Sequence, residues 1–230
     1  MLKRDDAWKA VIKISTNAIS GTGFFVLKDD KLYIVTAKHI TDKIDLQAKI
    51  QIMGTDRYAL DISFDSLEQS PVVISHPNAD IGVIQIDKNV INPIYTSAMF
   101  FDYNTMLFLD RDSNISRDTE MTCIGFPKDF GCYGTFEPLT FRSHPASNLI
   151  RNYHLDYTEF HFEQDIFILE NPSCCGYSGG PVIDLGYKVD GAITQSSPTI
   201  IYGVMSGTSP DNTGGKMALV TPVYYLADII

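Results

Sequence analysis

The sequence has little of what marks several large protein classes. It contains 4 cysteines among 230 residues, too few for a dense disulfide framework to hold the fold together. No window of about 20 apolar residues occurs, so no membrane-spanning helix is predicted. The basic residues near Met1 run straight into a short strand-like segment, without the apolar stretch of about 7 to 15 residues that a secretory signal needs. We therefore expect no membrane association and no signal-directed secretion.

The cysteines also argue against a metal site. Cys174 and Cys175 are adjacent, and neighbouring residues form a disulfide only under strain. Together with Cys123 and Cys132 they give no CxxC pair and no Cys/His spacing typical of zinc. We expect a reducing, cytoplasmic setting, no metal and no cofactor.

The charge balance argues against nucleic acid as a partner. With 28 acidic and 18 basic residues the formal net charge is −10, whereas a duplex-binding domain normally presents a basic face. No run of lysine and arginine stands out. The negative charge is better interpreted as keeping the surface soluble.

Composition and length favour a folded domain built from strands. At 44% apolar and 20% charged residues the chain resembles an ordinary globular protein, and its length allows a substantial core. Short runs rich in Val, Ile, Phe and Tyr, separated by turn residues, predict an all-β fold. These runs are Ala10 to Ile14, Gly23 to Leu27, Leu32 to Thr36, Ala48 to Met53, Val72 to Ser75, Ile81 to Ile86, Met121 to Phe126, Asp165 to Leu169, Pro181 to Asp184, Thr199 to Met205 and Lys216 to Thr221.

Helices and long connections are predicted at a few places only. One helical turn is expected within Ala37 to Ile44, and a short terminal helix from Pro222, with Thr221 as its N-cap. The strand rhythm weakens between Tyr95 and Asp118, a candidate connection between two halves. Residues 127–163 are predicted to form long surface loops.

A glycine-framed serine is the first candidate for chemistry. In Gly176-Tyr177-Ser178-Gly179-Gly180 the backbone can bend sharply and a ligand can approach closely. Consecutive N–H groups can then converge to form an oxyanion hole, with Gly176 and Ser178 as donors. An ordinary tight turn is the alternative, and the segment alone does not decide between them.

A serine nucleophile needs a base, and His39 is the best candidate. It follows an apolar strand and opens a short polar turn, where side chains meet a cleft. Asp80 follows a Pro-Asn-Ala turn and could orient that imidazole, although most aspartates in such turns are structural. The remaining histidines are interpreted as surface or core residues: His76, His144, His154 and His161.

The three segments together resemble the trypsin-like, or chymotrypsin-fold, serine peptidases. The likeness includes Thr-Ala-Lys-His39, the Asp80-Ile-Gly-Val strand start and Gly-Tyr-Ser178-Gly-Gly-Pro, over nearly the whole length. The order histidine, aspartate, serine is that of this family and differs from subtilisins and α/β-hydrolases.

The resemblance implies a single peptidase domain over residues 1–230. It would comprise two antiparallel six-stranded β-barrels, 1–100 carrying the histidine and aspartate and 101–230 carrying the serine, with the active site in the cleft between them and a short C-terminal helix. The catalytic residues would be His39, Asp80 and Ser178, acting through an acyl-enzyme. A polypeptide substrate would bind as an extended strand beside Ser206, Gly207 and Thr208.

Two departures from the family pattern restrict this picture. Tyr177 stands where enzymes activated by N-terminal cleavage carry an aspartate, so activation of that kind is not expected. Pro172 stands where trypsin itself has an aspartate, so a preference for Lys or Arg is not expected. Ser173, Cys174 and Cys175 would line the specificity pocket and favour a neutral side chain of modest size.

Several alternatives stay open at this point. The triad could serve another acyl-transfer reaction, such as ester hydrolysis. The chain could instead be a pseudo-peptidase that only binds, or an enzyme that is latent until a protein partner orders the oxyanion loop. A cysteine nucleophile at Cys174 or Cys175 ranks lowest, since cysteines are common buried fillers.

Overall fold

The strands of this protein form two large antiparallel sheets that follow one another along the chain. The computed structural model describes residues 4–105, 107–157, 160–190, 193–196, 198–210 and 216–230. No helix in these ranges is long and apolar enough to cross a bilayer.

The first sheet is built from residues 11–102, in the order β5-β4-β1-β2-β3-β7-β6 with β8 parallel to β2. Its antiparallel neighbours β2 and β3 join through Asp29 and Asp30, both at positive φ, the conformation that a tight two-residue hairpin turn requires. The strands are β1 (Val11–Ser15), β2 (Ser20–Lys28), β3 (Lys31–Thr36), β4 (Lys49–Met53), β5 (Ala59–Ser63), β6 (Val72–Ser75), β7 (Gly82–Ile86) and β8 (Phe101–Asp102).

The second sheet has the order β11-β10-β14-β17-β18-β13-β12, with β9 parallel to β17. The strands β15 and β16 form a separate two-stranded antiparallel sheet. The strands are β9 (Leu107–Phe108), β10 (Met121–Gly125), β11 (Leu139–Ser143), β12 (Ile150–Tyr157), β13 (Phe160–Leu169), β14 (Pro181–Asp184), β15 (Tyr187–Asp190), β16 (Ile193–Ser196), β17 (Ile200–Pro210) and β18 (Lys216–Pro222).

Helical structure in the described residues is short. The α-helix α1 (Lys38–Thr41) follows β3 directly. The others are 3-10 helices, at Arg4–Ala10, Phe64–Ser66, Lys88–Ile91, Pro127–Asp129 and Val223–Asp228.

The alternation of side chains along β2 ties the two sheets together. Phe25 is fully buried inside the first sheet, with Ile12 and Ile34. Its neighbours Phe24 and Val26 point the other way, into a cluster that also contains buried residues of the second sheet. Because successive residues of a strand face opposite sides, one strand contributes to both cores. Each such side chain stabilises the fold by about 1.5–3 kcal/mol on burial.

The all-β, two-part architecture predicted from the sequence is confirmed, and each sheet contains eight strands where the resemblance implied six. Part of the difference is the two-residue strands β8 and β9. The helical turn after β3 is also confirmed. The proposed division near residue 100 stays a prediction, although β8 at 101–102 pairs with the first sheet.

Two expectations were wrong in detail. Residues 127–163, predicted as loops, contain β11, β12 and the start of β13. The apolar pattern does not indicate these strands, because polar residues at their exposed positions interrupt it. The terminal helix is a 3-10 helix capped by Pro222 without a side-chain bond, whereas Thr221 lies inside β18.

A cluster of polar side chains joins the sheets away from the shared core. Lys13 of β1 places its Nζ 3.0 Å from Oδ1 of Asp129, and Ser20 Oγ donates to the same oxygen at 2.7 Å. These two hydrogen bonds hold the pKa of Asp129 below its ordinary value, against the opposing effect of burial. Burial alone would lower the pKa of Lys13, but its bonds to Asp129 and Cys132 raise it.

We expect the substitution Asp129→Asn to destabilise the fold at neutral pH but not in acid. Because the pKa of Asp129 is lowered in the folded state, its carboxylate stabilises the fold above the unfolded-state pKa of about 3.9. This stabilisation disappears as the pH falls through the folded-state pKa. Because Asp129 is partly exposed, we expect a loss of about 1 kcal/mol, or roughly 2–4 °C in Tm.

Thermal unfolding between pH 7 and pH 2 measures this difference. The curves of the wild type and the variant should converge in acid. Asp30→Asn is the matched control, since the Lys88–Asp30 pair is exposed and should contribute little. A constant difference at every pH would contradict the prediction.

Candidate active site

His39 and Asp80 form a closely hydrogen-bonded pair. Nδ1 of His39 lies 3.0 and 2.9 Å from the two carboxylate oxygens of Asp80, and the backbone N–H of His39 donates to Oδ1 at 3.0 Å. The side chain of Asp80 is fully buried and that of His39 is 19% exposed. A carboxylate on Nδ1 fixes the tautomer of the neutral ring, so that Nε2 is its acceptor.

The negative charge beside His39 raises the basicity of its imidazole. Burial of His39 would lower its pKa, but the negative charge of Asp80, the hydrogen bond to it and the charge of Asp42 together raise the pKa above the ordinary value. A neutral His39 is therefore a stronger base than an isolated imidazole.

His76 builds the turn that carries Asp80. Its Nδ1 accepts hydrogen bonds from the N–H groups of Asn78 and Ala79, at 3.1 and 2.8 Å. The ring is buried and packs edge-on against Tyr225. Burial lowers the pKa of His76, although Asp228 at 3.4 Å opposes this. Residue 76 is thus a structural histidine, as the sequence suggested, but it shapes the site.

The serine segment lies against the same part of the first sheet. The N–H of Thr22 on β2 donates to the carbonyl of Ser178 at 2.8 Å. Gly179 has φ +85°, and a side chain there would collide with backbone of Thr22 and with Thr36 Oγ1, and would approach Ala37. Since Ala37 directly precedes α1, the serine lies beside the helix that carries His39.

Gly176 provides the bend that opens the backbone next to the serine. Its φ is +103°, and a Cβ atom there would collide with the carbonyl of Phe126. The N–H groups of Gly176 and Ser178 find no acceptor among the described residues. Two N–H donors that flank one residue, the second of them on the serine itself, can stabilise an oxyanion.

Thr22 holds the glycine bend from the opposite sheet. Its buried hydroxyl donates to the carbonyl of Gly176 at 2.6 Å and accepts from the N–H of Phe126 at 3.1 Å. One side chain of β2 therefore fixes two backbone segments that flank strands of the second sheet. Sequence patterns cannot identify this role, because Thr22 lies in an apolar strand more than 150 residues from Gly176.

The serine hydroxyl itself donates to the carbonyl of Ser206 at 3.2 Å. Ser206 is buried, while Gly207 and Thr208 are half-buried. The pairing of β17 with β14 ends at Val204, so the edge of residues 206–208 that faces away from β18 has no strand partner in the described part of the chain. An open strand edge of this kind can bind an extended peptide.

The predicted pocket residues differ in accessibility. Ser173 is buried, Cys174 is half-buried, and Pro172 and Cys175 are exposed. The Ser173 hydroxyl has no hydrogen-bond partner among the described residues. A buried hydroxyl of this kind is an available polar contact for a bound group.

Tyr177, at the position of the activation aspartate, is packed into the second sheet. It is buried, and its ring meets Phe141 edge-to-face at 4.9 Å. Burial raises the pKa of its hydroxyl to about 12. The phenol stays neutral, so the segment is held by the packing of Tyr177. An aspartate at this position would instead need a cationic partner.

We expect Thr22→Val to destabilise the protein by about 1–3 kcal/mol. The substitution keeps the shape of the side chain but leaves the carbonyl of Gly176 and the N–H of Phe126 buried without this partner. Urea unfolding measures the loss. Thr22→Ser retains the hydroxyl and is the matched control; a valine variant no less stable than the serine variant would contradict the role of the bond.

Solved structures of similar fold are bacterial proteases. The Rv3671c protease from M. tuberculosis in its active form has 18% identity and a TM-score of 0.55, covering 97% of this chain and 80% of that one. The MamO protease domain from Magnetospirillum magneticum has 11% identity and a TM-score of 0.61, covering 96% of both chains. The HtrA-type protease AlgW, solved with a tripeptide, has 16% identity and a TM-score of 0.58, covering 97% of this chain and 60% of that one. No curated protein sequence matches the chain.

A family comparison covers nearly the full sequence. The model of the Trypsin family matches residues 3–230, a range that includes the two sheets and the site between them. The chain therefore belongs to the trypsin family of serine endopeptidases.

Proposed function

We propose that this protein hydrolyses peptide bonds with His39, Asp80 and Ser178 as its catalytic triad. The observation that carries the proposal is the buried Asp80 carboxylate bonded to both the ring and the backbone of His39, beside a serine segment that the first sheet holds in place. The proposal brings together three residues that sequence motifs select separately.

The proposed reaction begins with Ser178. Its hydroxyl turns from the Ser206 carbonyl towards Nε2 of His39, which takes the proton as Oγ attacks the peptide carbonyl. Asp80 stabilises the imidazolium that forms. His39 then gives the proton to the leaving amine, and water, activated by the same base, hydrolyses the acyl-enzyme.

The N–H groups of Gly176 and Ser178 would stabilise the tetrahedral oxyanion. Removing one donor of this kind from a peptidase costs about 10²–10³ in rate. The positive φ of Gly176 aims the backbone, so a side chain at this position would disturb both the bend and the donors.

A polypeptide is the proposed substrate, bound along the open edge of residues 206–208. Backbone pairing there would supply affinity independent of sequence, and pockets would read alternate side chains. AlgW, solved with a tripeptide and with a decapeptide, gives a precedent for peptide binding by a protein of this fold.

The proposed specificity is for a neutral side chain of modest size at the cleavage site. Pro172 supplies no carboxylate, and Ser173 offers a neutral hydroxyl. We expect a peptide-library cleavage profile without a basic preference. A profile dominated by Arg or Lys would show that another acidic group reaches the pocket and would overturn this assignment.

A need for a protein partner is the second proposal for this site. The Ser178 hydroxyl is bonded to Ser206, and Tyr177 replaces a charge-based anchor with packing. A partner could favour the rotation of the hydroxyl towards His39.

We also propose a reducing, cytoplasmic setting, which is compatible with the four free cysteines.

The triad is tested by labelling with a fluorophosphonate probe. We expect the wild type to react at Oγ of Ser178, and Ser178→Ala and His39→Ala to stay unlabelled, because loss of a triad member costs on the order of 10⁴–10⁶ in rate. Cys175→Ala is the control that separates serine from cysteine chemistry: it should still be labelled at Ser178, whereas a nucleophilic Cys175 would lose its label.

Absence of labelling in a folded wild type would contradict autonomous catalysis. Addition of candidate protein partners then separates a latent enzyme, which would begin to label, from a pseudo-peptidase, which would not. Labelling with cleavage of esters but of no peptide would contradict the endopeptidase assignment.

A further inference from the structure

A series of hydrogen bonds, buried beyond Ser178, crosses the second sheet from Ser178 to Asp80. Ser178 Oγ donates to the Ser206 carbonyl on β17, and the Ser206 hydroxyl contacts Oγ1 of Thr221 on β18. Thr221 Oγ1 donates to Oε1 of Gln164 on β13 at 3.2 Å. The same Oε1 accepts from the backbone N–H of Asp80 at 2.7 Å.

The three strands concerned are direct neighbours, in the order β17-β18-β13. Each contributes one polar side chain that is at most 1% exposed: Ser206, Thr221 and Gln164. A polar side chain buried this deeply in an apolar sheet costs stability unless it is bonded. Such a row therefore calls for an explanation beyond packing.

Gln164 is the member that reaches the other sheet. Its amide orientation is fixed, because the N–H of Asp80 can only donate and must face the oxygen. Its Nε2 is buried without a partner among the described residues. The amide thus gains its bonds through one oxygen, which would be a poor arrangement if its purpose were stability alone.

We propose that Gln164 is a positioning residue, which sets the place of Asp80 relative to His39 from the opposite sheet. This inference rests on the proposed triad. Bonding of the Asp80 backbone to β13 fixes the carboxylate that holds Nδ1 of His39 and supports its basicity. Gln164 touches no reacting atom and acts through Asp80.

The test measures the rate of fluorophosphonate labelling against pH for the wild type and Gln164→Leu. The rate rises with pH as His39 loses its proton. Without the amide oxygen, Asp80 is held less closely, so His39 should lose part of its raised basicity. We expect the acidic limb to move to lower pH and the plateau rate to fall by about 10- to 100-fold, by analogy with the loss on removing a residue that orients a metal ligand.

Other titratable groups near His39 and Asp80 could also move the acidic limb. Asp42 faces His39 from the end of its own helix. His76 and Asp228 lie at the Asp80 turn, where burial lowers the pKa of His76. If the acidic limb of the pH profile moves in His76→Gln but not in Gln164→Leu, the shift belongs to the Asp80 turn and the proposal is overturned.

Two further variants keep the test decisive. Gln164→Glu retains an acceptor oxygen and, when ionised, adds a negative charge near His39, so its limb should move to higher pH, opposite to the leucine variant. Glu163→Gln, on the exposed side of β13, is the matched control and should leave the profile unchanged. If Gln164→Leu does not fold, Gln164→Met, which keeps the length of the side chain and also removes the acceptor oxygen, is measured in its place, and an unmoved acidic limb there overturns the proposal.

Failure of this inference is distinguishable from failure of the proposed function. A wild type that does not label contradicts the triad. A wild type that labels, with Gln164→Leu labelling at the same rate and the same pH midpoint despite a lower Tm, would show that Gln164 is only structural.

Discussion

The site depends on hydrogen bonds that cross from one sheet to the other. The first sheet carries His39 and Asp80, and the second carries Ser178, so their spacing is set by how the sheets meet. Apolar packing around Phe24 and Val26 brings the sheets together, but it is non-directional. Thr22 and Gln164 supply direction, since each bonds from its own sheet to the backbone beside a proposed catalytic residue of the other.

This arrangement makes the geometry of the site and the stability of the domain difficult to separate. A bond such as that from Thr22 to Gly176 satisfies buried groups, which the fold requires, and at the same time fixes the bend that exposes two N–H donors. The ion pair of Lys13 with Asp129 lies further from the site, at the short helix of residues 127–129. This helix contacts the glycine bend, because the N–H of Lys128 donates to the backbone carbonyl of Cys175. A change at these positions is therefore expected to alter both properties.

The sequence revealed the parts of the site that are encoded locally. A serine among glycines, a histidine after an apolar strand and an aspartate before one are recognisable because each lies within a few residues of its own backbone context. The all-β class followed from strand-length apolar runs. Residues 127–163 were misjudged because β11 and β12 expose polar side chains, which resemble those of a loop in a single sequence.

The connections between segments could not be predicted, for a physical reason. Gln164 and Asp80 are separated by 84 residues, and a glutamine on a strand carries no sign of what its amide will meet. The contribution of Gln164 is geometric. Its one buried oxygen accepts from the Asp80 turn and from Thr221 of β18, while Nε2 is left without a partner in the described structure. A side chain retained at such a cost in stability fits the general expectation that local rules are broken where function requires it. The violation at Gln164 lies one hydrogen bond from Asp80, so the cost falls beside the carboxylate that the proposed triad requires to be placed accurately.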